Sequence, residues 1–444
     1  LIIYKLNTRN ISYKNLSNLQ LSVYKNKLDS LGIHYSWLMV LMAFITTMFS
    51  SAVISTPQIL ILPITKAYGW NISDITSSIG VMFFVLASIA PFGGALILRF
   101  GIPKIVIISC SFATLGLAST VLVSEKWHLY ISIGICLGIA SGILGLGLSA
   151  AIATRWFNKR RGLVTGILTS AFAAGQLIFV PLMAWFTTIF NWQYVVIPVL
   201  IGSITCSILF LFFGKSWPSE LKIPPYGDNK IYNPPLPSKE NAIYISFNNL
   251  YNAIYNPAFL ILAATFFICG LTSNGLILQH FIPFCADNNI GIVVASSYLA
   301  IMGIFNFIGT NASGWLSDRY NNYYLLAIYY TFRGISLLYL PYSNLDFYAL
   351  TLWAIFFGLD FIATVPPTVR LTSKFFGSVN GPVIFGWIFA AHQYGAAFSA
   401  STAGIAREEI LSYDPVFIFA GITCFFATIL IFIFKVMSNK IILN

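Results

Sequence analysis

Charge is what this sequence has least of. Asp, Glu, Lys and Arg make up 8% of its 444 residues, against roughly a quarter in soluble domains. A soluble globule could not hide the apolar remainder, because single cores stop growing with chain length. Intrinsic disorder is excluded too, since it requires low hydrophobicity and high net charge. The six cysteines, at 110, 136, 206, 269, 285 and 424, show no C-x-x-C spacing. That argues against a metal site or a redox pair, and they read as small apolar fillers. Neither a Gly-x-x-x-x-Gly-Lys-[Ser/Thr] nucleotide loop nor a His-Glu-x-x-His motif occurs, so ATP-driven work and metallohydrolase chemistry lack their residues. No cofactor, metal or enzymatic activity is expected. The ten-residue alternating segments of a membrane β-barrel are also missing.

Apolar runs are plentiful instead. Hydrophobic residues make up 58% and aromatics 16%, with a mean hydropathy of +0.81. A membrane helix needs about 20 mostly apolar residues. Twelve such stretches stand out: 36–62, 73–98, 103–123, 128–154, 162–188, 194–214, 257–284, 293–316, 323–341, 346–369, 381–405 and 414–436. The expected fold is an all-α membrane protein with twelve transmembrane helices.

The basic residues orient it. If the N-terminus is cytoplasmic, only Lys66, Lys126 and Arg407 of the 24 Lys and Arg fall in outside loops, and Arg333 alone lies deep within a span, Lys104 and Lys435 standing at the inner ends of theirs. The others lie in inside segments, a strong positive-inside bias. Both termini are therefore expected in the cytoplasm. The formal net charge of +11 reads as an orientation signal in a bilayer, and nucleic acid is not an expected partner. Residues 1–34 form a polar tail without the apolar run of a cleavable signal peptide. The first residue is Leu, so the natural start is expected elsewhere or at an unusual codon.

Residues 215–256 interrupt the pattern with Pro218, Pro224, Pro225, Pro234, Pro235 and Pro237. They read as a cytoplasmic linker between a first half, 35–214, and a second, 257–437, followed by a short tail, 438–444. The linker's end, Ile243 to Tyr255, is amphipathic enough to lie on the membrane surface. The halves repeat each other. Gly94-x-x-x-Leu98-Arg99-Phe100-Gly101 recurs as Gly314-x-x-x-Asp318-Arg319-Tyr320, 220 residues on. Arg155-x-x-x-Lys159-x-x-Gly162 recurs as Arg370-x-x-x-Lys374-x-x-Gly377, 215 residues on. Parallel six-helix repeats suit a transporter that rocks one half against the other.

These loops and spans resemble the major facilitator superfamily, whose pattern carries G-x-x-x-D-R-x-G after the second and eighth helices. Arg155-Trp156-Phe157-Asn158-Lys159-Arg160-Arg161-Gly162 is similar to the fourth loop of monocarboxylate-porter-like and oxalate/formate-porter-like members. Gly358 to Arg370, Phe385 to Gln393 and His280 to Pro283 resemble a bacterial group in that branch. The likeness runs from about 36 to 436. It implies a small organic anion, carboxylate in type, as substrate. It also implies a latch at the cytoplasmic gate loops, made of Gly94, Arg99, Gly101, Gly314, Asp318 and Arg319. Leu98 departs from the family's Asp, so a carboxylate latch is not expected from the first loop.

Ionisable groups within spans are functional candidates, because charge in hydrocarbon costs at least a few kcal/mol. Asp360 lies roughly 20 Å from the outer face and Arg333 roughly 15 Å from the inner one, at 1.5 Å per residue. Their depths allow a pair. Two readings stand: a proton- or substrate-coupling site, with the Arg fork binding an anion, or a permanent structural ion pair. The resemblance implies a peripheral ninth span, which favours structure for Arg333. His392 near mid-depth is either a proton carrier or a neutral bridge between helices; Gln393 follows it. His280 and Gln279 suit an outer gate or an interface. Gln58 and Gln176 are the neutral cavity candidates of the first half. Arg155 and Arg370, at equivalent places, read as snorkelling anchors or as an inner gate.

The expected function is secondary active transport of a small carboxylate by alternating access, coupled to protons through Asp360 or His392. The expected setting is a monomer in the lipid bilayer of the cell membrane. An exporter of hydrophobic drugs or metabolites is the alternative within transport; a transport-inactive ligand sensor is the alternative of another class.

Overall fold

A computed structural model describes residues 30, 32–144, 147–232 and 242–443. The tail before residue 30 and the linker prolines at 234, 235 and 237 lie outside the described residues. Long helices follow the apolar runs: α1 (Tyr35–Tyr68), α2 (Ile72–Phe100), α3 (Ile102–Val121), α4 (Lys126–Trp156), α5 (Arg161–Ile189) and α6 (Trp192–Phe213). After the linker come α7 (Pro257–Asp287), α8 (Ile292–Arg319), α9 (Asn322–Tyr342) and α10 (Phe347–Gly377). Then α11 covers 378–410 and α12 spans Asp414–Leu443. Side-chain caps mark several starts: Asn256, Asn321 and Asp346 each accept a first-turn amide, as helix N-termini require. Gly377, at φ +75°, breaks the long helix Val365–Ile410 into the ends of α10 and α11.

Among the described residues, ten helices are long and apolar enough to cross a membrane. Helices α9 and α11 fall short of that hydropathy. α9 carries Arg333 and several tyrosines, while α11 carries His392, Gln393 and many Gly, Ala and Ser residues. Hydropathy by itself thus supports ten of the twelve expected spans, because side chains facing other helices need not be apolar. The helices also overrun the apolar stretches, α1 reaching Tyr68 and α10 reaching Gly377.

Large apolar side chains point outward from α3, α6, α9 and α12, among them Leu115, Leu211, Phe332 and Phe426. Such a surface fits lipid rather than water. The other helices meet centrally: α2 packs on α11 and α5 on α8, joining the first six helices to the last six. Apolar side chains gain little by leaving lipid for one another, so close approach through small residues drives such packing. A Cβ on Gly80 would strike Ser401, and one on Gly404 would strike Thr76.

The linker is docked where it is described. Gly101, at φ +82°, turns the chain so that the Ile102 amide donates to the Ser216 hydroxyl at 3.0 Å. The Tyr226 amide donates to the Trp156 carbonyl at 2.9 Å, and its own carbonyl accepts from Asn158 at 3.0 Å. The helix expected at the linker's end runs Ala242–Ile254. Its Phe247 ring lies between Phe92 of α2 and Trp387 of α11, at 5.4 and 5.5 Å. Phe247 nonetheless stays half exposed, as do Tyr244 and Tyr251.

Candidate functional site

A cavity of about 490 Å³ lies between the first six and last six helices. Thr47 and Ser50 face it from α1, Thr169 and Phe172 from α5, and Asn306 and Asn311 from α8. α7 contributes Phe266, Cys269, Ser273 and Asn274, while α11 adds Phe389, His392 and Gln393. Among the described residues, no Lys, Arg, Asp or Glu lines it. The asparagines, the glutamine and the histidine all come from the last six helices; the first six supply hydroxyls and apolar groups. Ser273 and Asn274 lie in a wide π turn, Leu271–Ile277, a distortion often found at functional sites.

The cavity reaches Gly166 and Gly314, close to the loops that carry Arg155–Arg161 and Arg319. Its opposite end is closed. There the Ser73 amide and hydroxyl donate to the Glu408 carboxylate at 2.8 and 2.6 Å, so α11 caps the N-terminus of α2 with a charge that end favours. Arg407 pairs with Asp287 at 2.7 Å. His280 is fully buried in this closure, with one ring nitrogen 2.9 Å from the Ala400 carbonyl and the other 3.0 Å from the Tyr413 hydroxyl.

Arg333 and Asp360 meet beside the cavity, outside its lining. α10 is interrupted just after Asp360, where Pro366 and Pro367 restart it. Prolines donate no amide hydrogen, so carbonyls before them lose helical partners. The Ser313 hydroxyl covers the Ala363 carbonyl at 2.6 Å. Arg333 reaches in from α9 and covers the carbonyls of Asp360 and Phe361 at 2.7 and 3.1 Å. Its Nε donates to Asp360 Oδ2 at 2.5 Å and a terminal nitrogen donates to Cys269 Sγ at 2.9 Å. The guanidinium is nearly saturated by protein. Asp360 Oδ1 has no partner among the described residues.

Cys269 connects this node to the cavity. Its sulfur lies 3.2 Å from the Thr364 hydroxyl, it lines the cavity, and His392 is its charge neighbour. His392 is held between the rings of Phe266 and Phe389 at 4.8 and 5.9 Å. Its Nδ1 and the Gln393 Oε1 have no partner among the described residues. Asn274, Asn306 and Asn311 were missed by the sequence reading, which searched spans for charge and for histidine. Gln58, Gln176 and Gln279 are buried and do not line the cavity, and their Nε2 atoms have no partner among the described residues.

The repeated loops differ. Asp318 and Arg370 form an exposed ion pair, and Arg319 lies over Trp315 at 4.0 Å. At the equivalent places Leu98 is exposed, while Arg155 is buried with its guanidinium 4.5 Å from the Trp217 ring of the linker. Arg99 lies over Phe100 at 5.4 Å. Gly94 packs beside Gly147.

Residues 39–400 match the Major Facilitator Superfamily family. An MFS-type transporter of Bacillus subtilis is 26% identical over 394 residues, covering 85% of this chain and 90% of the relative. Monocarboxylate transporter 12 of Xenopus laevis is 22% identical over 423 residues, covering 91% and 90%. In shape, the partially occluded inward-open xylose transporter of E. coli superposes with a TM-score of 0.67 at 13% identity, covering 90% of this chain and 99% of the other. A D-xylose-proton symporter gives 0.69 at 14% identity, covering 90% and 97%. These structures share the fold. With its helices gathered about a central cavity and the family match spanning most of its length, the chain belongs to the major facilitator superfamily of membrane transporters, and resembles its monocarboxylate-porter-like branch.

Proposed function

We propose that the chain is a proton-coupled symporter of a carboxylate, working by alternating access in the cell membrane. In this reading it has twelve spans in two six-helix halves, 35–214 and 257–437, with both termini cytoplasmic. One observation carries the coupling: among the described residues, the cavity lining has no fixed charge and a single imidazole, His392. A carboxylate leaving water needs a positive partner, because unpaired charge in a low-dielectric site is costly. A protonated imidazole is a cation that donates from both ring nitrogens, so a proton on His392 supplies that partner. Anion and proton then enter together and leave together as a neutral load.

Asp360 takes a different part. Arg333 already uses its fork on Asp360, two carbonyls and Cys269, and Asp360 lies outside the cavity lining, so the pair is not placed to hold substrate. The pair positions the interrupted α10 beside the cavity. Uptake into proteoliposomes under an inward proton gradient tests the assignment. His392→Asn should reduce carboxylate uptake to background, while Asp360→Asn should retain pH-stimulated uptake if it folds. Normal pH-stimulated uptake by His392→Asn would overturn it. Export of a hydrophobic metabolite is the second reading, favoured by Phe83, Phe172, Phe266, Phe361 and Phe389 in the same lining. It predicts efflux that no carboxylate inhibits.

A further inference from the structure

The central cavity is larger and more hydrogen-bonding than a short aliphatic acid requires. Volumes of 300–1,000 Å³ suit drug-sized ligands, roughly speaking, and this one is about 490 Å³. Its polar lining is made of carboxamides and hydroxyls. Asn306 Oδ1 accepts from the Thr310 hydroxyl of its own helix, at 3.1 Å. Gln393 Oε1, on a residue 3% exposed, has no partner among the described residues. Carboxamides both donate and accept, which matches a ligand bearing several hydroxyls.

The same chemistry continues past the closed end of the cavity. On α1, Thr47, Ser50 and Ile54 face the cavity, and Gln58 follows Ile54 by four residues on the same helical face. On α5, Phe172 faces it and Gln176 follows by four. On α7, Asn274 faces it and Gln279 follows by five, across the turn Leu271–Ile277 whose bonds run i→i+5. Gln58 and Gln279 are fully buried, and neither their Oε1 nor their Nε2 has a partner among the described residues. An unsatisfied buried amide costs stability, so three on the continued cavity faces call for a state in which they are used. That state is the one in which Glu408 releases Ser73 and the opposite end opens.

We propose that the substrate is a polyhydroxylated carboxylate of sugar-acid size, met by Asn274, Asn306 and Gln393 in the present state and by Gln58, Gln176 and Gln279 when the other side opens. The carboxylate part rests on the His392 reading above; the hydroxyl part does not. The test is exchange in proteoliposomes, with thermal shift of the purified chain, using gluconate, hexanoate and sorbitol. Gluconate should bind and exchange, with hexanoate about tenfold to a hundredfold weaker because it leaves carboxamides unpaired. Hexanoate equal to gluconate would overturn this inference and leave the proton–carboxylate reading standing. Sorbitol equal to gluconate would overturn the carboxylate reading and support hydroxyl recognition. Gln58→Leu and Gln279→Leu provide the second arm. Both should melt no lower than the parent while gluconate exchange falls several-fold; a lower melting point with unchanged exchange would make these residues structural and overturn the inference.

Discussion

After α8, Asp318 and Arg370 pair in the open. At the equivalent place after α2, Leu98 offers no carboxylate, and Arg155 turns to the Trp217 ring at 4.5 Å, buried beneath the linker. One repeat ties its loops by a solvated ion pair, the other by a shielded cation–π contact to a segment outside the repeat. The difference extends inward. The last six helices hold Arg333, Asp360, His392 and every carboxamide of the cavity, whereas the first six face it with hydroxyls and apolar groups. The last six helices carry the polar side chains of the cavity, and the first six are fastened to the linker.

The largest test of that asymmetry is Arg333→Leu. It strands the Asp360 carboxylate and the Phe361 carbonyl in the interior, since the Asp360 carbonyl keeps the Ala363 amide at 3.1 Å, which should cost about 3–5 kcal/mol and lose folded protein in a detergent melt. Arg333→Leu with Asp360→Asn should recover part of it, because the buried charge is gone. In the first half Gln176→Leu, at similar depth, should cost nothing measurable. A comparable loss there would break the comparison.

The next effect concerns the closed end, where the halves touch. Glu408→Ala removes two charge-assisted hydrogen bonds to Ser73, each worth about 1.5–3 kcal/mol. The balance should shift toward opening on that side, read as faster thiol labelling of a Thr76→Cys reporter, since Thr76 is buried against Gly404 in the closed state. Unchanged labelling would show that the helix packing of α2 on α11 holds the closure without Glu408.

Smaller effects sharpen the contrast between the loops. Trp217→Ala should destabilise by about 0.5–2 kcal/mol, the range of cation–π contacts from exposed to desolvated. Asp318→Ala should cost about 0–1 kcal/mol, as exposed pairs do, and that cost should vanish in high salt. Melting temperatures of both variants at two ionic strengths settle the order. A larger effect at Asp318 would reverse it.

Much of this was legible in advance. The apolar runs marked the helices, since about 20 such residues are what a bilayer selects. The paired loop motifs put Arg155 and Arg370 at equivalent sequence positions, but did not show their different partners, Trp217 and Asp318. The depths of Arg333 and Asp360 brought them to one level. What could not be read was direction. Asp360, the one acid deep in a span, stands out as a coupling group in the sequence, and the structure sets it at the break in α10, outside the cavity lining. Asn274, Asn306 and Asn311 carry no charge and no periodic signal, so nothing in a single chain singled them out. α9 and α11 were expected as spans, yet their hydropathy falls below that of the other helices, because residues turned toward protein escape the hydrocarbon constraint.

The sequence by itself determined the solvent, the helices and the orientation signal, because those depend on sums along the chain: how many apolar residues in a row, and on which loops the positive charges fall. Which polar side chain meets substrate and which merely holds the fold depended on tertiary structure. Packing rotates each helix to one azimuth, and a hydrogen bond is lost over an error of about 1 Å. Arg333 and His392 look alike in the sequence as basic residue types within spans; only the packing of α7, α9, α10 and α11 surrounds the first with protein acceptors and sets the second in the cavity lining.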